Sequence, residues 1–85
     1  MDERTLRALV DAGGVKKIHI VAMGGRFHVE AATRTGCVTA STNRGSVKTW
    51  VTLDAAARWV RKLGIGMIAV DIERWQPGQR TLHVD

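Results

Sequence analysis

The chain is poor in the residues that lock small folds together, with one cysteine and one proline among 85 residues. The lone Cys37 excludes an internal disulfide, as is usual for proteins of a reducing cytoplasm. The apolar runs are too short to cross a bilayer, and the first residues lack the pattern of a signal peptide. We therefore expect a cytoplasmic protein with no membrane contact.

Motifs for catalysis are missing as well. No nucleophile is spaced from a base, no glycine loop has the Walker pattern, and no two carboxylates share an apolar setting. His19 and His28 are predicted to project from one sheet face, but two ligands are too few for zinc, and Cys37 is not placed to join them. A cross-strand pair of His19 with Glu30 is the better interpretation. We expect no enzyme, no metal and no cofactor.

Size and charge indicate the kind of partner. A chain of 85 residues forms one domain and buries only about 60–65% of its unfolded surface, so a homodimer is a simple source of extra stability. The net charge of +5 comes from the middle of the chain. Residues 16–34 hold four basic residues against one acidic residue, and residues 44–62 hold five against one. A basic centre favours a polyanion such as DNA, although a merely solvated basic surface has the same composition.

The segment 49–72 has the pattern of a strand, a capped helix and a second strand. Thr52 suits the N-cap, Asp54 places a negative charge in the first turn, and Gly64 suits the left-handed residue after the helix. Alternation of apolar residues then predicts a strand at 67–72. Between cap and glycine, one apolar stripe at helical spacing is formed by Leu53, Ala56, Ala57, Val60 and Leu63.

Residues 15–34 have the pattern of a β-hairpin. The pair Gly24-Gly25 is typical of a two-residue turn, which sets Met23 opposite Arg26. In that register six apolar residues fall on one face, and a slip of one position would destroy the agreement. The predicted core face consists of Ile18, Ile20, Ala22, Phe27, Val29 and Ala31.

The remaining elements complete an α+β fold. Asp2 begins a predicted helix over 2–12, a strand is predicted at 47–51, and the segment 38–42 has a weaker strand pattern that is not counted in the order. The order is α–β–β–β–α–β, which we expect to form a small antiparallel sheet with the helices on one face. The single domain 1–85 comprises, in order, 1–14 (helix and turn), 15–72 (sheet and helix core) and 73–85 (C-terminal extension).

Basic residues of the second helix, of the loop before it and of the hairpin are the candidate nucleic-acid contacts. Arginine and lysine are the usual donors to phosphate, and a glycine in the 43–46 loop lets the backbone approach it. The alternatives are a solvated helix face and an ordinary turn. Trp50 and Trp75 are candidates for base stacking or a protein contact, with a core role as the alternative. The predicted phosphate contacts are Arg44, Lys48, Arg58, Arg61, Lys62, Lys17 and Arg26.

Four short motifs, chiefly turns and caps, carry a resemblance to a known family. They are Gly24-Gly25-Arg26-Phe27, Arg44-Gly45, Val51-Thr52-Leu53-Asp54-Ala55-Ala56-Ala57-Arg58 and Leu63-Gly64-Ile65. Through them the segment 17–80 resembles the ParC-family partition-associated proteins of plasmids and integrative elements. The resemblance implies a role in maintenance or transfer of mobile DNA, as an accessory to a larger partition or transfer protein. It transfers no catalytic residue.

Two functions remain open at this point. The first is a small DNA-binding accessory protein of a plasmid or mobile element. The second is an adaptor or modulator that forms a homodimer without touching nucleic acid, with the segment 38–42 or the segment around Trp75 as the contact. The orientation of the basic residues distinguishes these two functions. If the helix arginines and the hairpin lysines point to opposite sides of the domain, no single groove uses both, and the adaptor takes first place.

Overall fold

Two helices and a four-stranded sheet build the domain, as a computed structural model that describes residues 1–76. The predicted α+β class and the order α–β–β–β–α–β are confirmed. Most of the predicted extension 73–85 lies outside the described residues. The elements are α1 (Glu3–Asp11), β1 (Val15–Gly24), β2 (Arg26–Thr33), β3 (Gly36–Thr39), α2 (Leu53–Lys62) and β4 (Ala69–Trp75).

Both helices begin at the predicted caps. The Asp2 carboxylate accepts from the backbone N–H of Thr5 at 2.9 Å, and this bond holds the pKa of Asp2 below its usual value. The Thr52 hydroxyl accepts from the backbone N–H of Ala55 at 3.1 Å. Such caps satisfy amides that have no partner within the helix. After α2, Gly64 adopts a φ of +99°, the left-handed conformation that ends helices.

The hairpin has the predicted register. Met23 pairs with Arg26, and the pairing continues in step to Ile18 and Ala31. Gly24 has a φ of +63°, which a type II′ turn requires at its first central position. All six residues of the predicted core face are buried. The alternation of apolar residues was therefore sufficient to set the register.

The sheet is mixed, so the expectation of a wholly antiparallel sheet is corrected. Its strand order is β3-β2-β1-β4, with β1 antiparallel to β2, β2 antiparallel to β3, and β4 parallel to β1. The strands β3, β1 and β4 therefore run in one direction. A chain that leaves β3 and returns through a helix re-enters the sheet in the same sense, as in other β–α–β connections.

Three of the predicted strands differ from the structure. The strand predicted at 38–42 is β3, which begins two residues earlier and ends at Thr39. The segment 47–51 forms only isolated bridges, Ser41 with Val47 and Phe27 with Trp50, while β3 pairs with the half of β2 from Glu30 to Thr33. The last strand begins two residues later than 67–72 and extends to Trp75. Its pairing with β1 as far as Gly24 explains the extension into a stretch whose polar sequence resembles a loop.

One cluster of buried side chains forms the core. The six hairpin residues pack with Leu6 of α1, with Ala56 and Val60 of α2, and with Leu63 just after α2. Successive side chains of a strand point to opposite faces, so these six residues define the core face of the sheet. The other face, here called the open face, carries the intervening residues of β1 and β2. No buried side-chain polar atom within residues 1–76 lacks a hydrogen-bond partner.

Candidate functional site

The hairpin pair of predicted phosphate contacts lies on the open face. Lys17 immediately precedes the buried Ile18, and Arg26 immediately precedes the buried Phe27, so both point away from the core. Arg26 also donates through Nε to the Thr49 hydroxyl at 3.0 Å. Because α2 packs its buried residues against the core face, its exposed arginines lie across the sheet from this pair.

A hydrogen-bonded cluster joins α1 to α2. The Trp59 indole donates to Glu3 Oε1 at 3.0 Å, and Arg7 lies 3.4 Å from Glu3 Oε2. Arg7 also donates to the backbone carbonyl of Lys62 at 3.0 Å. The bond from Trp59, reinforced by Arg7, holds the pKa of Glu3 below its usual value. These contacts bring two basic residues of different helices together.

An aromatic stack continues this cluster toward the loop before α2. The ammonium of Lys48 lies 5.4 Å from the centre of the Trp50 ring, within the range of a cation–π contact. The Trp50 ring lies 5.1 Å from that of Trp59, tilted by 50°. Trp50 is half-buried here and bonds through its backbone to Phe27. Trp50 therefore has a structural role, and base stacking by its exposed part stays a prediction.

The remaining basic residues of the helical side are exposed. Arg58 forms an ion pair with Asp54 at 3.1 Å within α2, while Arg44 and Arg61 are open to solvent. Arg4 and Arg7 of α1 share a shallow depression with Asn43, which sets the 43–46 loop beside α1. Sequence reasoning missed both arginines, although their i, i+3 spacing on a predicted helix signals one shared face. The set here called the helix-side surface comprises Arg4, Arg7, Arg44, Lys48, Arg58, Arg61 and Lys62.

The division of the basic residues has a direct consequence. The helix-side surface and the hairpin pair Lys17 and Arg26 are separated by the sheet. Five of the seven predicted contacts belong to the helix-side surface, and Lys17 and Arg26 belong to the open face. Arg26 still reaches the loop before α2, since it bonds to Thr49, the neighbour of Lys48.

The strand β4 carries three of the four exposed large apolar side chains of the described strands, Met23 of β1 being the fourth. It is an edge strand, since the order β3-β2-β1-β4 leaves nothing beyond it among residues 1–76. Val70 is 41% exposed, Ile72 52% and Trp75 40%. Val70 pairs with Ile20, which is fully buried, so Val70 belongs to the core face, yet it is 41% exposed and no element of residues 1–76 lies beyond it. The set here called the β4 surface is Ile68, Val70, Ile72 and Trp75.

The opposite edge of the sheet is shorter and better covered. The strand β3 has only four residues, and Met1 holds its end: the terminal amine donates to Thr39, and Ser41 donates to the Met1 carbonyl. Farther along β2, the backbone of Trp50 pairs with Phe27. Unpaired edges invite association, so of the two predicted dimer contacts the Trp75 segment is the more available.

Trp75 has two environments at once. Its ring lies 6.0 Å from that of Phe27 and tilts by 50°, so one side seals the end of the core. The other side is exposed, with 40% of the residue accessible. The predicted contact role and the predicted covering role are thus both compatible with its position.

The polar group on the open face differs from its prediction. His19 and Glu30 are opposite one another on β1 and β2 as expected, but Glu30 Oε2 lies 2.9 Å from His28 Nε2 on its own strand. Residues two apart in a strand share a face, which brings His28 within reach. Among residues 1–76, no three His, Cys, Asp or Glu side chains are grouped to hold a metal ion.

No helix within residues 1–76 combines the length and apolar content needed to cross a bilayer.

Comparisons of the chain with protein-family models, with curated proteins and with solved structures found no match in any of the three.

Proposed function

We propose that the protein is a small, non-enzymatic cytoplasmic adaptor that forms a homodimer through the β4 surface. The observation that carries the proposal is the uncovered apolar side of β4, where Val70, Ile72 and Trp75 are each at least 40% exposed. Burial of apolar area contributes about 25 cal/mol per Å², so covering such side chains is favourable. A small domain gains most from this, because its own core is limited.

The positions of the basic residues also favour the adaptor over a nucleic-acid-binding domain. Lys17 and Arg26 lie on the open face, whereas α2 packs on the core face, and this arrangement favours the adaptor over a single groove that uses all seven contacts. The β4 surface needs no such convergence. Apart from Ile68, which precedes the strand, its members all lie on β4.

Sedimentation velocity over a range of micromolar concentrations tests the proposal. We expect a species of twice the 9.3 kDa chain mass, whose fraction rises with concentration. Ile72→Lys places a charge in the contact and shifts the population to the monomer. Val47→Lys is the matched control, since Val47 is 55% exposed but lies in the loop before α2. A 9.3 kDa species at every concentration would contradict the proposal.

A second candidate function rests on a separate observation. Lys48 lies over Trp50, which packs against Trp59, and Trp59 bonds to Glu3, which Arg7 contacts in turn. Aromatic rings beside cations are typical of surfaces that bind single-stranded nucleic acid. The resemblance to ParC-family proteins suggests the setting, as an accessory in partition or maintenance of mobile DNA.

Salt-dependent gel shifts with single- and double-stranded DNA test this candidate. Log affinity is expected to fall with log salt by about 0.9 per phosphate contact on duplex, or about 0.7 on single strands. The double variant Arg44→Ala, Lys48→Ala should flatten that slope by about two units. The matched control is Lys17→Ala, Arg26→Ala on the opposite face, which removes the same charge. An equal effect of both pairs, or no shift at low salt, counts against the helix-side surface.

A further inference from the structure

The largest of the cavities lined by residues 1–76 lies between the C-terminal end of α1 and the turn that joins β2 to β3. Its volume is about 550 Å³, within the range of about 300–1,000 Å³ that is typical of small-molecule sites. We propose that this cavity, here called the α1 cavity, binds a small organic anion with an apolar tail. The anionic group would lie between Lys16 and Arg34. The inference is independent of the proposed homodimer, because the α1 cavity shares no residue with the β4 surface.

The charged side chains that line the α1 cavity are of one sign. Lys16 and Arg34 both line it, whereas no aspartate or glutamate of residues 1–76 does so. Within the same residues, neither cation forms an ion pair. The C-terminal end of α1 carries about half a negative charge, which is less than the two positive charges beside it. The depression shared by Arg4 and Asn43 differs, since it includes the carboxylate of Glu3. The α1 cavity is therefore the better site for an anion.

A bulge in β1 sets the direction of Lys16. Val15 pairs with Thr33, and the next pair along the hairpin is Lys17 with Ala32. Lys16 is therefore an extra residue between two successive pairs. Lys17 points to the open face, whereas Lys16 lines the cavity beside α1 on the helical side. Bulges re-aim side chains in this way and are frequent beside functional sites.

The turn between β2 and β3 holds Arg34 beside the α1 cavity. The Thr33 hydroxyl donates to the backbone carbonyl of Gly36 at 2.7 Å and accepts from the backbone N–H of Thr35 at 3.3 Å. These two bonds connect one end of the turn to the other, so the backbone that carries Arg34 is fixed before a ligand arrives. A preorganised site loses less conformational entropy when it binds.

Apolar side chains supply the surface for the tail of the ligand. Leu9 of α1 and Val38 of β3 line the cavity, and both are half-buried. Val38 and Met1 also pack against the core cluster, which holds this wall in place. Gly14 lies so close to Leu9 that a Cβ at this position would clash with the Leu9 side chain. Burial of an alkyl chain against such a wall is favourable, and an inorganic anion would not gain from it.

Titration with octanoate, followed through the amide chemical shifts of ¹⁵N-labelled protein, tests the site. We expect saturable shifts at Gly13, Gly14 and Thr35, which line the cavity, and unchanged shifts along β4. The probe 1-octanol has the tail without the charge, and inorganic phosphate has charge without the tail, so each should bind about tenfold more weakly or worse. Because an exposed ion pair contributes a factor of up to about five, Lys16→Gln with Arg34→Gln should raise the octanoate Kd by about tenfold.

A matched control removes the same charge away from the cavity. Lys17→Gln with Arg44→Gln should leave the octanoate Kd unchanged, and the dispersion of the amide spectrum checks that each variant folds. Equal binding of octanoate and 1-octanol, or equal binding of octanoate and phosphate, overturns the proposal. Equal effects of the two double variants, or shifts that concentrate on the β4 surface, overturn it as well. Sedimentation of the same samples measures the homodimer separately, so a monomeric wild type would contradict the homodimer without affecting this test.

Discussion

Removal of the Phe27 ring is the most direct test of how the core is built. Phe27 is 3% exposed and is the only phenylalanine of the chain. It joins three parts of the fold: its backbone bonds to Trp50, its ring packs near Trp75, and its side chain enters the cluster with Val29. Phe27→Ala removes the ring and leaves the backbone pairing in place.

The expected loss of unfolding free energy is about 3–4 kcal/mol, toward the lower part of the usual range of about 3–5 for a buried phenylalanine. The lower part applies because the neighbouring Trp75 is 40% exposed and is able to move into the space. An 85-residue domain has a total stability of about 4–13 kcal/mol, so the variant is close to the limit of folding. Phe27→Leu keeps most of the volume and should cost about 1–2 kcal/mol.

Urea denaturation followed by circular dichroism measures both variants against the wild type. Because the sheet signal reports the whole domain, a single transition with an unchanged slope allows the midpoints to be converted to free energies. Val47→Ala is the control, since Val47 is 55% exposed and should change stability by less than about 0.5 kcal/mol. A loss below about 1 kcal/mol for Phe27→Ala would refute the buried core position of Phe27.

Two further changes test the helix contacts. The bond from Trp59 lowers the pKa of Glu3, so it contributes stability that is complete above the ordinary value of 4.5 and is lost as pH falls through the lower folded value. Glu3→Gln should therefore flatten the acid limb of a pH–stability curve, and an unchanged limb argues against the contact. Thr52→Ala removes the α2 cap and should lower the urea-derived stability by about 1 kcal/mol, whereas Thr52→Ser should retain it.

Local rules predicted the parts of the fold that depend on neighbours in sequence. The caps Asp2 and Thr52 and the turn at Gly24 each act within a few residues, so their side-chain chemistry was visible in the chain. The hairpin register was also predictable, because only one alignment puts Ile20 opposite Val29 with both on an apolar face.

The remaining parts of the fold depend on long-range strand pairing, which the sequence patterns do not predict. Whether β4 joins β1 or β3, and in which direction, depends on how α2 returns the chain, and no local pattern encodes that choice. The same limit applies to its length: the polar stretch after Ile72 remains a strand as far as Trp75 because β1 extends beside it. The Trp50 segment, predicted as a full strand, pairs with β2 only at Phe27, while β3 pairs with Glu30 to Thr33 of that strand.

The candidate surfaces were predictable in part. Strand alternation already placed Lys17 and Arg26 opposite the core face, and helix periodicity placed Arg58 away from it, so their separation follows from the sequence patterns. The exposure of Val70 does not follow from the sequence patterns. It alternates like a core residue, and only the position of β4 at the edge of the sheet leaves it uncovered.

Hydrogen–deuterium exchange of β4 at two protein concentrations tests the homodimer most directly. If β4 pairs with a second copy, amides of Val70 to Arg74 exchange more slowly at the higher concentration, because the edge gains hydrogen-bond partners. Amides in the middle of α2 serve as the internal reference and keep their rates. Exchange along β4 that is rapid and equal at both concentrations would contradict the proposal.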